Sequence, residues 1–273
     1  MEKGGARVGA PSGGPLHVVS RGEGPTVLLV HGSAVDHRTW TIQLTTLRDR
    51  VRLLAYDRRG AGRSPLPEGR DFVTVEELAA DAAALLEGHG GGPAVACGSS
   101  FGGVVVLELV RQRPELVRAA MLLEPPLPPS DGVPGIPEGM IAYFDQVVAE
   151  QGGEAAAEFF LRRVLGDEAF DRMPKPFQAW CKATWRSIRQ DCLSLEAYRV
   201  DYARLGEVTR PVLLLGGEKS APFYRPTLEA LHRALGNARL EIFAGAGHMM
   251  HADVHRRFNE RLLALVAEVS TAQ

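Results

Sequence analysis

Five short runs, apolar at almost every position, recur along the chain: Thr26-Val-Leu-Leu-Val-His31, Val51-Arg-Leu-Leu-Ala-Tyr-Asp57, Ala94-Val-Ala-Cys-Gly98, Ala119-Ala-Met-Leu-Leu-Glu124 and Val212-Leu-Leu-Leu-Gly216. A strand without a polar face must be covered on both sides, and crossover helices do this in a parallel sheet. Helical patterns stand where that requires them: Val75 to Leu86, with Leu78, Ala82 and Leu85 on one stripe, and Gly102 to Arg113. The alternation predicts an α/β chain with a mainly parallel central sheet flanked by helices. His17-Val-Val-Ser20 and Leu240-Glu-Ile-Phe243 read as an early strand and the last one.

The alternation stops after Glu124. Pro125-Pro126-Leu127-Pro128-Pro129 can neither extend a strand nor start a regular crossover, and about 80 residues pass before Pro211, too many for an ordinary connection. Helix-like stretches fill the gap, at Met140 to Glu150, Glu154 to Leu165, Phe177 to Arg189 and Leu195 to Leu205. The expected organisation is a Gly-rich N-terminal tail over residues 1–14, a core formed by 15–126 and 207–273, and a helical cap over 127–206 inserted between the strand ending at Glu124 and the one starting near Pro211.

Hydrophobic residues at 45% and charged residues at 23% are ordinary for a globular chain, and a formal net charge of -2 gives no footprint for nucleic acid or an anionic membrane. No apolar run approaches the roughly 18 residues that suggest a spanning helix. Three cysteines, Cys97, Cys181 and Cys192, form no disulfide framework, which points to a reducing, cytoplasmic setting.

Gly98-Ser99-Ser100-Phe101-Gly102 fits G-x-S-x-G between an apolar strand and a helix, the context in which a sharp turn exposes a nucleophilic serine. Ser100 is the candidate nucleophile. The helix start behind it offers free backbone N–H groups to a developing oxyanion. His31-Gly32-Ser33 ends a neighbouring strand on the same rim, so the backbone amides of Ser33 and Phe101 are the expected oxyanion hole. Gly245-Ala246-Gly247-His248 follows the last strand, and an imidazole on that loop is the candidate general base. His248, His251 and His255 match no zinc spacing, so no metal is expected there, and an acyl-enzyme route through Ser100 would need no organic cofactor.

Taken together, His31-Gly32-Ser33 with Trp40 downstream, the turn Asp57-Arg58-Arg59-Gly60-Ala61-Gly62-Arg63-Ser64, the elbow at Ser100, the segment Gly216 to Ser220, and Gly245 to His248 resemble the α/β-hydrolase superfamily from His17 to the final helix. The resemblance implies a third triad member, usually an Asp three residues beyond a Gly after the next-to-last strand. Here Gly217-Glu218-Lys219-Ser220 puts a serine in that slot. Glu124, at the end of the strand after the elbow helix, resembles the acid of zearalenone-type lactone hydrolases and some haloalkane dehalogenases. It is the expected third member, with Glu218 as fallback.

A serine nucleophile points to an acyl-enzyme route on an ester or lactone. Aromatic residues in the cap favour an apolar or aromatic small-molecule substrate, with Trp185 and Met249 as candidate pocket residues. The same residues would also serve a carbon–carbon bond hydrolase, a cofactor-free perhydrolase, or a slow-turnover receptor of the same fold. A p-nitrophenyl ester separates enzyme from receptor.

Overall fold

The computed structural model describes residues 6–9, 13–89, 92–129 and 139–270. In chain order its elements are β1 (Ala6–Gly9), β2 (Pro15–Arg21), β3 (Thr26–Val30), α1 (Thr41–Thr46), β4 (Arg52–Tyr56), α2 (Val75–Gly88), β5 (Ala94–Ser99), α3 (Phe101–Gln112) and β6 (Val117–Leu123). Helices α4 (Met140–Gln151), α5 (Gly153–Leu165), α6 (Asp167–Arg172), α7 (Lys175–Ala183) and α8 (Trp185–Ala197) follow. The chain then returns through β7 (Val212–Gly217), α9 (Tyr224–Ala234), β8 (Ala238–Phe243), α10 (Met250–Asp253) and α11 (His255–Ser270).

The strands form one sheet in the order β1-β2-β4-β3-β5-β6-β7-β8. From β4 to β8 every neighbouring pair is parallel, while β1 and β2 pair antiparallel at one edge. Part of the expected tail is therefore sheet: Ala6–Gly9 pair with Pro15–Val18, and the rest of residues 1–12 lies outside the described residues. All five apolar runs became strands, with both faces covered. Leu28 and Val30 pack with α2 and α3 on one side, whereas Val27 and Leu29 face Trp40 and α11 on the other. The start of α2 is secured by a capping box between Thr74 and Glu77.

Chain order places the site. From β3 the chain moves outward to β4, then crosses back to set β5 on the other side of β3. At such a switch point the connections leave in opposite directions and open a crevice beyond the carboxyl ends of the strands. Those ends carry His31 and Ser100.

Helices α4 to α8 stand between β6 and β7 and build their own core around Phe144, Phe170 and Ile188. Their boundaries depart from the sequence reading. The expected helix over Phe177 to Arg189 divides at Thr184 into α7 and α8, and α8 ends at Ala197, so Leu195 to Leu205 is not one helix. A short 3-10 turn covers Tyr202–Glu207, and α6 was not anticipated. This insert is joined to the sheet rim by a buried ion pair, Arg58 Nη2 to Asp191 Oδ2 at 2.8 Å. Gln190 Nε2 donates to the Arg59 carbonyl at 2.7 Å, and Ser194 Oγ to the Val73 carbonyl at 2.6 Å.

Candidate active site

Strain marks the rim. Among the described residues, the non-glycine residues with left-handed backbone are Ala34, Ser100 and Glu124, at φ 63°, 52° and 45°. Each such position costs about 1–3 kcal/mol and persists only where its surroundings hold it. One follows β3, one ends the turn after β5, and one ends β6, so all three sit at adjacent strand ends.

At the elbow the flanking glycines answer close approach. A Cβ on Gly98 would lie 2.2 Å from the Gly102 carbonyl oxygen, and one on Gly102 would lie 2.3 Å from that of Val30. They let β5, α3 and β3 converge, while Ser100 itself carries the strained turn. Phe101 opens α3, whose first-turn amides have no partner within the helix.

The loop bearing Ser33 is held from below. Neutral His31 donates from Nδ1 to the Gly32 carbonyl at 2.8 Å and accepts the Arg58 backbone N–H at Nε2 at 2.9 Å. Burial, then the Arg58 charge, pulls its pKa down to about 4. Arg58 also donates from Nε to the His31 carbonyl at 2.9 Å and from Nη2 to that of Gly32 at 3.0 Å, and its guanidinium covers the Phe101 ring. One arginine thus braces the segments that carry both expected oxyanion-hole amides.

His248, on the loop after β8, places Nδ1 2.6 Å from Glu124 Oε2. The other carboxylate oxygen accepts the Gly217 N–H at 2.7 Å. Both side chains are buried. A carboxylate only accepts, so Nδ1 carries the proton and Nε2 is left bare, the tautomer a general base needs. Glu218, the fallback, lies elsewhere: its Oε2 accepts the Gly245 N–H at 2.7 Å. The structure brings His248 to Glu124 and not to Glu218.

Two cavities, about 550 and 630 Å³, share Ser33, Ser100, Phe160 and Val164 in their walls. His248 and Met249 line the second. Trp185 lines neither. It packs on Gly153, where a Cβ would meet its ring at 2.2 Å, and Arg186 stacks on it, so it joins α5 to α8 instead of facing substrate. Composition could not tell an aromatic that seals a helix pair from one that lines a pocket.

Two contributors gave no sequence signal. Tyr224, at the start of α9, stacks on the His248 imidazole with centroids 4.4 Å apart, its hydroxyl 3.3 Å from Nε2. Asp191 looked like any helical acid until α8 delivered it to Arg58.

The two histidines that follow His248 in sequence are engaged separately. His251 Nε2 lies 3.0 Å from Thr39 Oγ1, and burial followed by the nearby His248 lowers its pKa to about 3. His255 Nδ1 donates to the Ala252 carbonyl at 3.2 Å. Buried His17, His37 and Asp57 place one donor atom each within 4.8 Å of one another, a spacing that could hold a metal. Hydrogen bonds already tie Asp57 to His37 and to the Arg63 backbone. Burial opposes its ionisation, but these bonds outweigh it and hold the carboxyl at about 2.

A model described as the alpha/beta hydrolase family matches residues 27–261. The chain belongs to this family. In sequence it is similar to pig (Sus scrofa) bifunctional epoxide hydrolase 2, at 36% identity over 117 residues, 42% of this chain and 21% of that protein's length. In structure it is similar to an esterase from Thermogutta terrifontis, with TM-score 0.80, 24% identity and 98% and 99% of the two chains covered. An esterase from Exiguobacterium antarcticum superposes with TM-score 0.84 at 21% identity, over 96% and 99% of the chains. In this chain Ser220 stands three residues beyond Gly217 at the end of β7, and the glutamate that meets His248 follows β6. Among the described residues, no helix is long and apolar enough to cross a membrane.

Proposed function

We propose that the protein hydrolyses a carboxylic ester or lactone through an acyl-enzyme. The observation that carries this is the 2.6 Å contact of His248 Nδ1 with buried Glu124, beside a serine held on a strained elbow. Ser100 Oγ attacks the carbonyl carbon, and its proton passes to the His248 side as the C–O bond forms. The amides of Ser33 and Phe101 receive the oxyanion. His248 returns the proton to the departing alkoxide, and water repeats the steps to release the acid. Glu124 holds the tautomer and offsets the imidazolium charge.

The insert acts as a cap. Two cavities meeting at the nucleophile suit a substrate with a sizeable apolar group on each side of the carbonyl, one reaching Ile141 and Leu195, the other Phe177 and Met249. The three cysteines are buried and unpaired, which supports a cytoplasmic setting.

A panel of p-nitrophenyl esters and lactones tests the reading. Wild type is expected to turn over members with apolar groups on both sides, and Ser100→Ala to lose on the order of 10⁴-fold or more in kcat. Equal rates for the two proteins would reject it.

A further inference from the structure

A departing alkoxide must lie within reach of the acid that protonates it, so the position of His248 decides which cavity holds which half of an ester. The imidazole lines the second cavity, with Met249 and Phe177. The first cavity, which holds Ile141, Leu195 and Phe223, is lined by Tyr224 instead. That ring lies nearly parallel to the imidazole, at 14° with centroids 4.4 Å apart, so it covers one face of His248 on the side of the first cavity. Phe223, 4.2 Å from Tyr224, backs the same wall. Ser33 and Ser100 line both cavities, which puts the carbonyl at their junction. Each cavity also has its own exposed end, at Glu196 and Arg199 in the first and at Lys219 and Gly245 in the second.

We propose that the substrate is an open-chain ester with its acyl group in the first cavity and its alcohol in the second, so that Leu195 sets the acyl preference and Phe177 the alcohol preference. This rests on the reading of Ser100 as nucleophile and His248 as base. When the tetrahedral intermediate collapses, the oxyanion electrons re-form the carbonyl π bond. The C–O bond to the alcohol breaks with its electron pair on oxygen, and the Nε2 proton joins that oxygen. The neutral alcohol leaves through the second cavity while the acyl group stays on Ser100. Water then takes the vacated place beside His248, where Nε2 accepts its proton. The acid product departs through the first cavity, so the two products have separate ways out. A small lactone ties the acyl carbon and the leaving oxygen into one short ring. It cannot extend into both cavities, and the residues of one of them are left without a contact.

The test is kcat/KM on two ester series, one lengthening the acyl group on a constant alcohol and one lengthening the alcohol on a constant acyl group. Leu195→Ala widens the first cavity and is expected to shift the long-to-short preference about 10-fold in the acyl series alone. Phe177→Ala is expected to produce a shift of about the same size in the alcohol series alone. Leu195→Val and Phe177→Leu take their place where alanine impairs folding. The opposite pairing, a shift of both series by one variant, or no shift at all overturns the assignment while leaving the triad standing. In wild type, small lactones are expected to fall at least about 10-fold below matched open-chain esters once each rate is divided by its hydroxide-catalysed rate. Lactones that equal or exceed the esters overturn the open-chain assignment. No Ser100-dependent turnover of any ester or lactone overturns the underlying reading as well.

Discussion

The sheet rim and the helical insert meet at Ser100 but are held by different means. At the rim, three strained residues are fixed by short connections, and polar and charged groups are buried and engaged, as with Arg58, Glu124 and neutral His31. In the insert, apolar side chains such as Phe144, Phe170 and Ile188 do the holding, and charges pair mostly at the surface. Arg162 with Glu158, Asp167 and Asp171 is an example, and exposed pairs of that kind contribute little. The contrast teaches that the proposed reacting groups sit where position is over-determined, while the residues of the insert that line the cavities sit where packing can vary. Arg58 with Asp191 is the buried charge contact between the two regions.

Removing the base breaks the comparison hardest on the chemical side. His248→Ala is expected to lower kcat on the order of 10⁶-fold while the insert keeps its fold, checked by ester turnover and far-UV circular dichroism. Acid separates the regions next. All eight histidines lie outside residues 139–206. Buried His31 and His251 are held at about 4 and 3, below their unfolded value of 6.5, so the unfolded chain takes up their protons first. Stability therefore falls as pH drops from 6.5, by on the order of 3 kcal/mol for each by pH 4. Melting scans with proton-uptake calorimetry should show about two protons bound on unfolding near pH 5. Hydrogen exchange should find core strands responding before the insert helices.

Much of the rim was legible because its constraints are local. An apolar run, two glycines at a convergence and a serine between them identify an elbow in nine residues. Glu124 was legible for a related reason: a carboxylate between an apolar strand and a proline run has little reason to be there unless something buried receives it. What was illegible depends on contacts between distant segments. Trp185 and the pocket-lining Phe177 are both aromatic residues on insert helices, and only the pairing of α5 with α8 decides which meets Gly153. Tyr224 reaches His248 across a turn whose path composition does not reveal. The four residues of β1, Ala6–Gly9, carry so little apolar pattern that only pairing with β2 makes them a strand.

The link between the regions sharpens the comparison at smaller scale. Asp191→Ala strands the Arg58 guanidinium without its partner and is expected to destabilise by about 4 kcal/mol, measured by urea unfolding. It should also lower kcat, because Arg58 braces the His31 and Gly32 carbonyls. Trp185→Ala, confined to the insert, is expected to cost about 2 kcal/mol, below the range for a fully buried tryptophan. Its kcat on a small ester should stay near wild type, and a large loss there would show that the insert's packing reaches the chemistry.

The most direct test of the triad compares two glutamates. Ester turnover by Glu124→Gln should fall about 10⁴-fold in kcat with the fold intact, and Glu218→Gln should stay close to wild type. The reverse pattern, with Glu218→Gln inactive and Glu124→Gln unaffected, would contradict the assignment of Glu124 as the carboxylate that serves His248.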